Sequence, residues 1–141
     1  MRHISGQCHC GNLRYALTWP HADGQISVRA CACDYCAKHG AVWTSHPDAR
    51  LDLTIADDDA VLRYRFGTNT ADFLVCARCG ILTAAVSVID GGCYAVVNVN
   101  TFEDVHPAEF ARTNTDFGGE DIPARLARRR RNWMPVTVAT P

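Results

Sequence analysis

Cys31-Ala32-Cys33-Asp34-Tyr35-Cys36 brings three thiols into six residues, and thiols at that density hold borderline-soft metal ions as thiolates. In an extended strand alternate side chains share a face, so Cys31 and Cys33 project together. A turn after them swings Cys36 back toward the pair. Zinc takes four tetrahedral ligands, and three protein ligands with one open position is the arrangement of sites where the metal does chemistry. The central question is what fills that fourth position. His39, three residues past Cys36, would close the site as Cys₃His, and Cys93 would close it as Cys₄.

Four of the remaining cysteines fall as Cys8-x-Cys10 and Cys76-x-x-Cys79. Pairs so far apart in sequence cross-link the start of the chain to its middle. Together they make a closed four-thiolate site with no room for substrate, whose value is folding free energy. Gly11 and Gly80 follow the two pairs, where a turn under a metal favours a residue without Cβ. In the knuckle Cys76-Ala77-Arg78-Cys79-Gly80 backbone amides point at sulfur. The solitary Cys93 otherwise reads as a small buried hydrophobe. His3, His9, His21, His46 and His106 are scattered singly. A disulfide framework is the competing account of eight cysteines; their tight pairing favours metal.

The elements that must position these thiols are short strands. Leu13, Tyr15 and Leu17 alternate with Arg14 and Thr18; 51–55 and 61–66 alternate likewise on either side of an exposed Asp57-Asp58-Asp59 turn, the period of half-buried strands. Ser27 to Ala30 forms a strand delivering Cys31, and Tyr35 to His39 a turn or single helical turn ending at Gly40. The apolar run 41–44 after the trio offers Trp43 as a wall of the metal pocket. Asp72 to Val75 leads into the second knuckle, and Asp90-Gly91-Gly92 joins 81–89 to 94–99 as a hairpin. From Thr101 onward the pattern reads as loop until a helix over 123–133, with Pro123 near its start and Pro135 beyond its end.

The chain of 141 residues is the size of one domain, and the expected organisation is a single domain over 1–141 with residues 120–141 as a basic C-terminal tail or helix. Fourteen Lys and Arg stand against fifteen Asp and Glu, which argues against a surface built for nucleic acid. The N-terminus has no apolar stretch of a signal peptide and no run is long enough to span a membrane, so the expected location is the cytoplasm. No Ser-His-Asp order, phosphate loop or dinucleotide fingerprint is present. Arg125, Arg128, Arg129, Arg130 and Arg131 support a rival class, a binding module with both metals structural and these arginines on an anionic partner. Consecutive arginines spread around a helix, however, and a solvated or oligomer-facing tail is the expected reading.

The order Gly6-Gln-Cys8-His-Cys10-Gly11, Cys31-Ala-Cys33-Asp-Tyr-Cys36 and Phe73-Leu-Val-Cys76-Ala-Arg-Cys79-Gly80 resembles the glutathione-dependent formaldehyde-activating enzyme family, which includes centromere protein V. The resemblance covers roughly residues 6 to 105. It implies a mainly β, Mss4-like zinc-binding fold of short antiparallel strands. It further implies two Zn²⁺ per chain, a structural one on Cys8, Cys10, Cys76 and Cys79 and a catalytic one on Cys31, Cys33 and Cys36. The implied activity is that of a carbon–sulfur lyase in reverse, adding glutathione as co-substrate to formaldehyde. Its partners are therefore a small-molecule thiol and an aldehyde. Glutathione carries two carboxylates, for which Arg29, Arg63 and Arg65 are candidate grips, although each reads more readily as a solvated strand residue. Ile81-Leu82 after the second knuckle, and Thr113 to Phe117 with the arginine segment, depart from the family's pattern and bear on the substrate pocket.

Overall fold

The computed structural model describes residues 1–140. Eleven strands and two short α-helices follow in the order β1 (Arg2–Gln7), β2 (Leu13–Trp19), β3 (Ile26–Cys31), α1 (Asp34–His39), β4 (Val42–Thr44), β5 (Arg50–Ile55), β6 (Val61–Tyr64), β7 (Asp72–Cys76), β8 (Leu82–Ile89), β9 (Gly92–Asn98), β10 (Phe110–Thr115), α2 (Ile122–Asn132) and β11 (Met134–Ala139). The fold is mainly β, as expected. The strands form an open sheet in the order β1-β2-β5-β11-β9-β4-β3-β10, and a branch of β8, β7 and β6 pairs with the other edge of β9.

Alternation builds the first layer. Leu13, Tyr15, Leu17 and Trp19 of β2 are buried, and Leu51, Leu53 and Ile55 of β5 face the same core. The register sets Leu13 opposite Ile55, Tyr15 opposite Leu53 and Leu17 opposite Leu51, so a slip of one residue would turn every one of these side chains to solvent. The β8–β9 hairpin turns through Asp90 and Gly91, both at positive φ, the backbone that a two-residue hairpin turn demands. β9 is interior, and Ala95, Val96 and Val97 are buried in succession, the continuous apolar run of a strand covered on both faces.

Two pairs depart from the expected antiparallel pattern: β3 with β10, and β5 with β11, are parallel. Each such pair joins segments distant in sequence, as parallel pairing requires. β10 and β11 also replace the loop and tail expected after Thr101, and β1 was not anticipated. A second apolar cluster, including Cys36, Trp43, Ala85, Val96 and Trp133, lies beneath the trio. No helix is long and apolar enough to cross a membrane.

Candidate metal centres and their cavity

Cys8 closes β1 toward a tight turn in which its amide donates to the Leu13 carbonyl and its sulfur accepts from the Leu13 amide at 3.3 Å. The second knuckle repeats the device, with the Cys76 amide donating to Ile81 and Gly80 donating back to Cys76. Gly11 and Gly80 sit at φ +83° and +78°, backbone that side-chain-bearing residues rarely adopt. The four sulfurs of Cys8, Cys10, Cys76 and Cys79 lie within 4.8 Å of one another. Cys8 to Cys10 is 3.8 Å and Cys10 to Cys76 is 3.5 Å; four sulfurs on a tetrahedron around zinc, ~2.3 Å from the metal, stand ~3.8 Å apart. The donor set therefore fits a metal ion. Burial pushes the Cys8 thiol up to about 11. Burial also opposes ionisation of Cys79, yet the Cys10 and Ile81 amides bring it down to about 6. Asn12, buried beside this cluster, donates to the Asp57 and Ala60 carbonyls and accepts from the Asp57 amide, tying one knuckle to the turn before β6. Sequence reasoning had no signal for it.

The trio straddles a strand end and a helix start. Cys31 is the last residue of β3, Cys33 caps α1, and Cys36 lies in its first turn, where its amide donates to the Cys33 sulfur at 3.4 Å. Gly40 ends the helix as expected. These three sulfurs also converge within 4.8 Å, and among the described residues no further His, Cys, Asp or Glu joins them. His39 instead sets its ring against Tyr35, 4.8 Å between centroids. Cys93, on β9, packs partly buried against the main core. The hydrogen bond from Cys36 pulls Cys31 down to about 5, against its burial, while Cys36, donating to Cys31 and buried, is pushed up.

The trio opens onto a cavity of about 340 Å³, within the range of small-molecule sites; the quartet's residues do not line it. Trp43, as anticipated, forms part of its wall. Phe66 and Phe73 continue the apolar side, and β8 and β9 supply Ala85 and Val96. The opposite side comes from segments read as loop and tail. Parallel pairing sets Thr115 of β10 beside Cys31, so Asp116, Phe117 and Gly118 project over the trio's cavity.

α2 completes this side with Arg125, Arg128 and Arg129. Their i, i+3, i+4 spacing puts them on one helical face, a signal of a shared face that does not say what the face meets. Arg128 grips Glu120 through two nitrogens at 3.0–3.2 Å and lies 3.6 Å over the Phe117 ring, while Arg125 donates to the Phe117 carbonyl. Arg129 is only 5% exposed, and Arg130 pairs with Asp90. The expected solvated tail is thus corrected: four of the five arginines bind within the molecule. Of the sequence candidates for a substrate grip, Arg63 and Arg65 are exposed and paired with Asp58 and Asp72, whereas Arg29 lines the cavity.

A crystal structure of a Rhodobacter sphaeroides protein is similar to this chain at 29% identity, covering 77% of this chain and 99% of that one, with a TM-score of 0.53. The sequence model of the glutathione-dependent formaldehyde-activating enzymes matches residues 3–117, a span that takes in both cysteine clusters and the β10 segment over the cavity. By that match the chain belongs to the glutathione-dependent formaldehyde-activating enzyme family.

Proposed function

We propose that the protein is a zinc-dependent carbon–sulfur lyase that reversibly adds a thiol, glutathione or a close analogue, to formaldehyde or another small aldehyde. One observation carries this reading: of two sulfur clusters that fit a metal, the three-sulfur one opens onto a cavity and the four-sulfur one does not. Cys8, Cys10, Cys76 and Cys79 would hold a structural zinc and Cys31, Cys33 and Cys36 a catalytic one. When bound to the trio, zinc supplies a position that keeps a substrate thiol deprotonated and oriented. The Cys36 amide, donating to the Cys33 sulfur, stabilises the charge of the trio. Trp43, Phe66 and Phe73 keep bulk water from the aldehyde. In the reaction the thiol S–H bond breaks, a C–S bond forms at the carbonyl carbon, and the proton ends on the carbonyl oxygen; nothing is oxidised. All eight cysteines are free, in keeping with work in a reducing compartment such as the cytoplasm.

The test is exchange NMR of glutathione, formaldehyde and their adduct. Protein carrying two zinc equivalents should accelerate the interconversion, and a Cys36→Ser variant should not. An unchanged exchange rate with fully loaded protein sinks the proposal.

A further inference from the structure

The cavity is lined by four guanidiniums, Arg29, Arg125, Arg128 and Arg129, against two carboxylates, Asp116 and Glu120. Glu120 is already taken by Arg128 and Arg125, and Asp116 accepts from the Gly118 amide. Arg29 and Arg129 have only neutral partners. Arg29 donates to the Ser45 hydroxyl at 2.9 Å. Arg129 donates through Nη1 to the hydroxyls of Thr70 at 2.7 Å and Ser87 at 3.4 Å, and its buried Nε has no partner. Among the described residues neither forms a salt bridge; the Arg129 guanidinium also lies 4.8 Å over the Trp133 ring.

Burying a guanidinium without a counter-ion is costly. The cost is visible in direction: burial first, then the Arg125 and Arg128 charges, lower Arg129 to about 10 despite the Glu120 carboxylate, where it still carries its charge at neutral pH. Three thiolates around a divalent ion would leave one negative charge to answer two surplus guanidiniums. One positive charge then faces the cavity with no anion.

From this arrangement we infer that the cavity is built for an anionic substrate: Arg29 and Arg129 anchor a carboxylate of the thiol whose sulfur reaches the trio. The inference rests on the thiol-addition reading above and deepens it. Planar guanidiniums suit a carboxylate because two N–H groups meet two oxygens. Of the pair, Arg29 lies within the residues that match the family and Arg129, on α2, beyond them.

The test binds S-methylglutathione, whose sulfur is blocked but whose carboxylates are free, to the full-length zinc-loaded protein by calorimetry. Its diethyl ester, which keeps the amino group and lacks both carboxylate charges, is the comparison. The free acid should bind more tightly than the ester, and Arg29→Gln should weaken the free acid roughly 10- to 100-fold, the value of a charge-assisted hydrogen bond, while leaving the ester unchanged. Arg129→Met should do the same where circular dichroism shows it folded; the acid-versus-ester comparison needs no variant. Equal binding of acid and ester, no binding of either, or undiminished binding by folded Arg29→Gln overturns the inference. Measuring formaldehyde exchange with both free thiols separates the two readings. Acceleration indifferent to esterification removes the anchor and keeps the enzyme. Carboxylate-dependent binding without acceleration keeps the anchor and removes the enzyme.

Discussion

Cys36 and Cys76 are both buried, yet they should fail differently when mutated. A structural four-thiolate zinc contributes about 10–16 kcal/mol of apparent binding free energy, as large as the whole stability of a domain of this kind, about 5–15 kcal/mol. Cys76→Ser should therefore unfold the protein. Cys36→Ser should remove one zinc equivalent and leave the circular dichroism spectrum of the folded chain, because the strands meeting beneath the trio pair independently of it; metal analysis beside the spectrum checks both. Gly6 carries a different constraint. It stands opposite Tyr15 across β1 and β2, and a Cβ there would enter the tyrosine ring. That ring cannot swing away cheaply, since its hydroxyl is bonded to Thr101 at 2.7 Å. Gly6→Ala should cost about 1–3 kcal/mol, the usual range for overpacking, read as a lowered midpoint in urea. At this scale the cysteines were legible because ligand spacing is a local property of sequence. Asn12 and Arg129 were not, since what makes them matter is the distant backbone or hydroxyl each one meets.

The elements divide by the same logic. β2 and β5 announce themselves through alternation, because each buries one face against a core, and the β8–β9 hairpin through its turn chemistry. β10 has no such stripe: Arg112, Thr113 and Asn114 are all exposed, and the strand exists because its backbone pairs with β3. β11 was hidden by Pro135, read as a helix stop; the residue sits second in the strand, near the end where proline is tolerated. The arginines of α2 suggest a free basic surface until their partners are counted. Truncation after residue 132 should be far more damaging than loss of a tail, since it removes fully buried Met134 and leaves one edge of β5 unpaired. Such a chain should be unfolded by circular dichroism, and a truncated protein with native-like spectrum and zinc content would contradict this placement.

For the molecule as a whole, the two proposed zinc sites imply staged loss, because one cluster offers four sulfurs and the other three. A chelator should withdraw one zinc equivalent from the trio, which lines a cavity, while the spectrum stays native. The second equivalent should leave only with global unfolding, as the Cys10–Cys76 contact spans 66 positions of sequence. Metal release measured with a colorimetric dye, followed beside circular dichroism, checks the order. Simultaneous release would mean that the sites are thermodynamically one. The same cross-link supports the single-domain organisation and leads us to expect one thermal transition, seen equally by fluorescence and circular dichroism.

β11 is the seam between β5 and β9, and it is made last of everything it joins. During synthesis β5 and β9 leave the ribosome with bare strand edges that no earlier segment fills. Until residues 134–139 emerge, those edges offer unpaired backbone to any neighbouring chain. The nascent protein should therefore be most prone to misassembly just before residues 134–139 emerge, and translation stalled within α2 should yield more aggregate than translation stalled before β9 is made.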